Sequence, residues 1–228
     1  MTDAPKIKVS LNGPYLVQGS LPLLEQSTVI DQKGQSIDWK VTRTFPEKAA
    51  YALCRCGHSK SKPYCDGTHA KIGFDGTETA SQASYEESAK LFRGPRLSLA
   101  DEESLCAFAR FCDPNGQVWG QVEATDDPAV ARTFVAQTNK CSSGRLVPID
   151  NATGKALEEK RPQQVSITQD SELKLSGPIW VEGGVSIESA SGHTYEVRNR
   201  VTLCRCGQSQ NKPFCDGTHA SIKFSDKD

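Results

Sequence analysis

The sequence predicts a β-rich α+β protein in which two copies of one strand-plus-loop module flank a small α+β insert. Three observations lead there. The stretch LCRCGHSKSKPYCDGTH at residues 53–69 returns as LCRCGQSQNKPFCDGTH at residues 203–219. The likeness extends outward: GPYLVQGSL at 13–21 resembles GPIWVEGGV at 177–185, and HAKIGF after the first block resembles HASIKF after the second. Residues 79–160 share none of this and carry a different pattern. The division expected is therefore 1–78 for the first module, 79–160 for the insert and 161–228 for the second module.

Each module opens on a Gly-Pro turn followed by a short apolar strand. Gly13 precedes Cys54 by 41 residues and Gly177 precedes Cys204 by 27, so the first copy carries about fourteen extra residues, placed between Leu24 and Ala50. Residues 36–45 (SIDWKVTRTF) and 193–203 (HTYEVRNRVTL) are rich in β-branched and aromatic residues and read as strands that deliver the chain to the cysteine loops. Each loop ends in a short helix beginning near Asp66 or Asp216, the natural N-cap.

In the insert, residues 79–90 (TASQASYEESAK) are polar and linker-like. Ser98 with Asp101 three residues on fits a capping box, followed by a helical stripe of Leu105, Phe108, Ala109 and Cys112. Residues 116–124 (GQVWGQVEA) read as a strand. Asp127 caps a helix with Pro128 at its first position and Lys140 at its far end. Residues 145–159 (RLVPIDNATGKALEE) read as a hairpin turning at Asn151 to Gly154.

Composition narrows the function classes. A net charge of −1 from 27 basic and 28 acidic residues gives no field for nucleic acid or an anionic membrane. No apolar run reaches the length of a membrane span, and MTDAPKIKVS lacks the charged-then-apolar layout of a signal peptide. The expected location is cytoplasmic, where the nine cysteines stay reduced. Six of the nine lie in the two blocks beside a histidine, which points to metal.

Both blocks share the spacing Cys-x-Cys-x8-Cys-x3-His. Cysteines two apart in an extended segment face the same way. Gly57 and Gly207 follow at once and let the backbone bend close to the metal. A Cys/His pair four apart shares a helical face, and the positive end of that helix favours thiolate and sulfide charge. Buried cysteines acting as small hydrophobes do not explain a duplicated histidine at fixed offset. A structural zinc site, serving an interaction module without redox activity, is the competing reading, since three thiolates and an imidazole are a common zinc set. Zinc sites usually begin C-x2-4-C, however, and two ligand pairs suit two adjacent irons better.

The blocks closely resemble the CDGSH iron–sulfur (mitoNEET-like) family. Cys54, Cys56, Ser59, Pro63, Cys65, Asp66, Gly67, Thr68 and His69 fill its motif, as do Cys204, Cys206, Ser209, Pro213, Cys215, Asp216, Gly217, Thr218 and His219. Thr replaces the eponymous Ser in both copies and keeps the hydroxyl. The resemblance implies one [2Fe–2S] cluster per motif, two in all. Cys54 and Cys56 would hold an inner iron, Cys65 and His69 an outer, more exposed one; Cys204 and Cys206, then Cys215 and His219, would do the same. Membrane-anchored members are homodimers of one motif per chain. A tandem, bacterial-type chain without an anchor implies a monomer whose modules pair as an internal pseudo-dimer.

A neutral imidazole in place of a thiolate should raise the potential above that of four-cysteine ferredoxins. It should also make the cluster acid-sensitive, because protons compete with iron for the ring nitrogen. The role expected is electron transfer, or cluster transfer and redox sensing, with a redox partner or an apo-protein acceptor. No catalytic base or phosphate loop accompanies the blocks, so an enzyme is not expected. His58 and His193 read as ordinary surface or core residues. Lys62 and Lys212 are read either as charges near the cluster or as solvated side chains.

Cys106, Cys112 and Cys141 form a possible third site. LCAFARFC and CSSGRL resemble, faintly, a divergent mono-cluster ferredoxin, which would imply a 3Fe-4S or 4Fe-4S cluster and makes the insert ferredoxin-like. Ala109 and Ser142 stand where such ferredoxins have cysteine and proline. A helix continuing from Ser98 through Cys112 would set the Cys106 and Cys112 sulfurs about 120° apart and prevent their convergence.

Overall fold

The computed structural model describes residues 4–226. Three sheets and a few short helices make up a β-rich α+β fold. No helix among the described residues is long and apolar enough to cross a membrane.

The first module contains β1 (Lys6–Val9), β2 (Tyr15–Gln18), β3 (Leu23–Ile30), β4 (Ser36–Thr44), β5 (Ala50–Leu53) and the one-turn helix α1 (Thr68–Lys71). The second contains β9 (Gln164–Asp170), β10 (Leu175–Glu182), β11 (Ser186–Glu188), β12 (Arg200–Leu203) and the one-turn helix α5 (Thr218–Ser221). The internal registers agree. Tyr15 pairs with Leu53 as Ile179 pairs with Leu203, and Ile7 pairs with Val17 as Val165 pairs with Val181. The β3–β4 hairpin lies between β2 and β5 and accounts for the extra residues of the first copy.

The sheets do not respect the module boundary. One sheet runs β11-β1-β2-β5 and the other β12-β10-β9-β3-β4, so each module lends a strand to the other. Both loans are parallel and meet equivalent strands: Ile187 pairs with Ile7, and Leu23 with Val165. Alternation along the strands supplies the driving force. Tyr15 and Val17 turn inward while Leu16 and Gln18 turn out, and the inward residues of both sheets form one core. That core joins Ile7, Val9, Leu23 and Leu53 with Val165, Ile167, Ile179 and Leu203.

The insert holds α2 (Tyr85–Ser88), β6 (Lys90–Arg93), β7 (Leu97–Asp101), α3 (Val118–Val122), α4 (Pro128–Asn139) and β8 (Leu146–Asp150). Its sheet, β6-β7-β8, packs Leu97, Leu99 and Leu146 against Val118, Val122, Ala131 and Phe134. Helix α4 begins as its sequence predicts, with the Asp127 carboxylate accepting from Ala129 N at 2.7 Å, and Lys140 closes it. The turn after β8 also forms, with Gly154 N donating to Asp150 O and Leu157 N to Pro148 O.

Four local expectations are corrected. Residues 97–101 form a central strand, not a capped helix: β7 is buried along its whole length between β6 and β8, and that burial outweighs the Ser98/Asp101 cap pattern. A single 3-10 turn follows at Glu103–Leu105, and Phe108 and Arg110 have φ of 52° and 60°, so no helix reaches Cys112. Residues 118–122, expected as a strand, form α3, which lays Val118 and Val122 on the insert core. In residues 193–203 only Arg200–Leu203 is strand, with one isolated bridge at Thr194.

The insert seats on the second module and on the β3–β4 hairpin that the first module adds to the same sheet. Buried Arg200 donates to Cys141 O, Thr138 O and Leu146 O and pairs with Glu158. Trp180 lies under Trp39, which in turn stacks on Phe111 of the insert at 5.0 Å. At the equivalent position of the first module Leu16 is exposed.

Candidate metal centre

Strands β5 and β12 end at the first cysteine of each loop, and the chain then doubles back. Cys54 N donates to Pro63 O at 2.8 Å and Cys65 N to Ala52 O at 2.9 Å; Cys204 with Pro213, and Cys215 with Thr202, repeat both bonds at the same lengths. This hairpin sets the third cysteine beside the first. Ser59 Oγ donates to Tyr64 O and accepts from Ser61 N, as Ser209 does with Phe214 and Asn211.

The aspartate after the third cysteine ties the loop to the helix. Asp66 accepts from Lys60 N at 2.8 Å and Thr68 N at 3.0 Å, and Asp216 accepts from Gln210 N and Thr218 N. These donors, Lys60 first, hold the Asp66 carboxyl well below the usual range. The cap differs from the expected one: Gly67 and Gly217, left-handed at φ 83° and 87°, occupy the N-cap position. The helices are one turn long, so the local donor to the thiolate is the glycine N–H, at 3.5 Å from Cys65 Sγ and 3.4 Å from Cys215 Sγ.

The candidate ligands fall into close pairs. Cys54 and Cys56 Sγ are 3.8 Å apart, as are Cys204 and Cys206 Sγ. Cys65 Sγ stands 3.3 Å from His69 Nδ1, and Cys215 Sγ 3.4 Å from His219 Nδ1. Two thiolates on one tetrahedral ion stand about 3.8 Å apart, and a thiolate and an imidazole about 3.5 Å apart. Each pair is therefore spaced for one ion. Among the described residues no three cysteine, histidine or carboxylate side chains converge on a single ion. The donor set fits a two-metal group in each loop.

Burial moves Cys56, Cys215 and His219 away from their charged forms. It pushes the Cys56 thiol up to about 11 and the Cys215 thiol well above its ordinary range, so these thiolates need a cation beside them. It brings His219 down to about 4, aided by the nearby Arg205 charge, which leaves the ring neutral and able to ligate near pH 7.

The two loops touch. An added Cβ on Gly57 would lie 2.6 Å from Cys206 O, and one on Gly207 would lie 2.7 Å from Cys56 O. The outer pairs are not alike. Cys65 and His69 are half-buried, and His69 lines an open hollow with Asn12, Ala70, Gly73 and Phe74. Cys215 and His219 are 3% and 5% exposed, contrary to the exposed outer pair expected in both copies. The cause is the insert: Ala107, Phe108 and Ala109 line the small cleft over His219, and Cys106 O stands 3.0 Å from the position of a Gly217 Cβ.

Residues the motif reading missed complete the site. Arg55 and Arg205, each between two ligand cysteines, are buried; the signal was an identical arginine at the same place in both blocks. Tyr15, fully buried, donates its hydroxyl to Cys204 O at 2.8 Å and Pro213 O at 3.0 Å, so the first module props the second loop. Ile179 occupies the equivalent position and has no hydroxyl. Tyr15→Phe is therefore expected to cost about 1–2 kcal/mol and to loosen the second loop before the first, measured by melting and by the order of iron loss.

His58 is exposed and His193 half-buried against Tyr195. Lys212 Nζ donates to Ser209 O at 2.8 Å. Cys106, Cys112 and Cys141 are half-buried, and Cys112 and Cys141 pack on the insert core. Burial pushes the Cys112 thiol up to about 12, with the neighbouring Asp113 adding to it. Without the expected helix, nothing fixes Cys106 and Cys112 on diverging faces.

The family model described as iron-binding zinc finger, CDGSH type, matches residues 12–70 and again residues 176–220. Searches of curated proteins and of solved structures returned no match.

Proposed function

The chain belongs to the CDGSH-type iron-binding family with two of its domains in tandem, and on that premise we propose that it is an iron–sulfur carrier holding one [2Fe–2S] cluster in each loop. Cys54 and Cys56 hold one iron of the first cluster, Cys65 and His69 the other; Cys204 and Cys206, with Cys215 and His219, hold the second cluster. The observation that supports this most is the division of each ligand set into two pairs, each at one-ion spacing. Bound there, the cluster supplies a one-electron couple.

The chain's own residues position and shelter that group. The hairpin through Pro63 or Pro213 aims the thiolates, Asp66 and Asp216 brace the loop, and the histidines present Nδ1. The strand exchange and the close approach of Gly57 to Cys206 and of Gly207 to Cys56 support an internal pseudo-dimer in which the second module stands where a second subunit would. The ferredoxin-like insert lies on the second module, and its three cysteines are the place for a further 3Fe-4S or 4Fe-4S group. The partner is a redox protein or an apo-protein acceptor, and the reduced cysteines suit the cytoplasm. The chain acts as a carrier and not as an enzyme. Anaerobically purified protein is expected to be red-brown and to bleach with dithionite. A colourless protein holding zinc would sink this reading in favour of a structural module.

A further inference from the structure

The two loops differ in charge as well as in cover. Arg55 and Arg205 make equivalent bonds on one side: Arg55 Nη1 donates to Ser10 O at 3.3 Å, and Arg205 Nη2 to Thr168 O at 3.2 Å. On the other side they diverge. Arg55 Nη2 donates to the main-chain oxygen of Gly76 at 2.6 Å. Asp226, which follows Cys204 at the same distance as Gly76 follows Cys54, places a carboxylate on Arg205.

Asp226 is fixed in that role. It also accepts from Ser176 Oγ and Gln169 Nε2. Burial works to raise its carboxyl, but Arg205 and these donors hold it below the ordinary range, so it carries its charge. Arg55 has no such partner. Among the described residues no carboxylate lies at ion-pair distance from it, and its buried Nε is unpartnered. Asp75 turns instead to Thr77, at 2.6 and 2.9 Å. A Cβ on Gly76 would sit 2.5 Å from Arg55 Nη1, so the first module has no room for the aspartate of the second.

Other nearby charges do not cancel this difference. Lys62 and Lys212 hold the same place in both loops. Arg110 and Asp170, near His219, neutralise one another at 2.8 Å. The glycine N–H to Cys65 or Cys215 Sγ is present in both. A buried guanidinium with no carboxylate at ion-pair distance favours the added negative charge of a reduced centre, and a paired one favours it less. Exclusion of water from the second outer pair disfavours that charge again. Both effects run the same way.

We propose that the two centres are unequal by construction, the first reduced at a higher potential than the second, with Asp226 as the residue that lowers the second. The inference rests on the two-cluster reading. Each centre takes one electron from an external one-electron donor, with no bond made or broken; the first electron enters the centre at Cys65 and His69, the next the centre at Cys215 and His219.

The test is a potentiometric titration of the intact holoprotein, followed by visible absorbance and electron paramagnetic resonance, with iron and sulfide assayed on the same sample. Wild type is expected to give two separate one-electron waves of equal size. Asp226→Asn should move the lower wave up towards the other and leave the upper wave in place, while Asp226→Glu retains the wild-type separation. Phe108→Ala, on an exposed side chain of the cover, should also raise the lower wave and serves if the Asp226 variants fold poorly. A single wave of one-electron shape carrying both centres, or variants that leave both waves unmoved, overturns the inference while two clusters per chain remain. A sample whose assay shows fewer than two clusters overturns the reading beneath it.

Discussion

Replacing Gly57 and Gly207 together by alanine is expected to remove metal from both loops and to lower the melting temperature well below that of wild type. Two costs coincide. At φ of 80° and 81° an alanine sits in the left-handed region, at about 1–2 kcal/mol each. The new methyls would also press on Cys206 O at 2.6 Å and Cys56 O at 2.7 Å. Those oxygens belong to cysteines of the proposed ligand sets, so relief of the clash must part the loops or rotate those side chains. The total expected is about 2–4 kcal/mol per site.

Gly67→Ala separates the two costs. Gly67 has φ of 83° but nothing within 4 Å of an added Cβ. It should cost only the dihedral penalty and keep its iron. If the Gly57/Gly207 variant melts and loads like Gly67→Ala, the two loops do not support one another.

Changing both ligand histidines to cysteine is the second large effect. Each substitution exchanges a neutral ring for a thiolate and adds one negative charge to the ligand set. Reduction then becomes harder, and both midpoints should fall, on the order of 100 mV or more, towards the range of four-cysteine ferredoxins. Because Cys65–His69 and Cys215–His219 are each spaced as one ion's ligands, His69→Cys alone should move one wave and His219→Cys the other. Redox titration reads this directly. Midpoints unchanged in the double variant would show that neither ring touches iron.

The close approach of Cys54 to Cys56 and of Cys65 to His69, repeated in the second block, was legible because cysteine and histidine spacing is a local code. Cys-x-Cys in an extended segment and Cys-x3-His across one turn leave little freedom in where the side chains point. Helix α4 was legible for a similar reason, since Asp127 and Pro128 mark its start. Residues 97–101 were not. LSLAD in isolation offers a cap pattern, and only pairing with β6 and β8 makes it a buried strand. The five residues of α3 are too few for periodicity to separate helix from strand.

The exchange of β3 and β11 was out of reach too, because parallel partners such as Leu23 and Val165 carry no local sign of one another. The same holds for the unequal exposure of the two outer pairs. The motifs at residues 53–69 and 203–219 are nearly identical, yet Phe108 and its neighbours cover only the second. Gly76 and Asp226 lie outside the motif, and their role appears only when each is seen against its arginine.

The central claim, one two-iron cluster in each loop, is tested most directly by counting iron, acid-labile sulfide and zinc per chain on anaerobically purified protein. The account predicts about four irons with an equal amount of sulfide from the two loops, rising to about seven or eight irons if Cys106, Cys112 and Cys141 are loaded as well. Zinc at two per chain with no sulfide would contradict it.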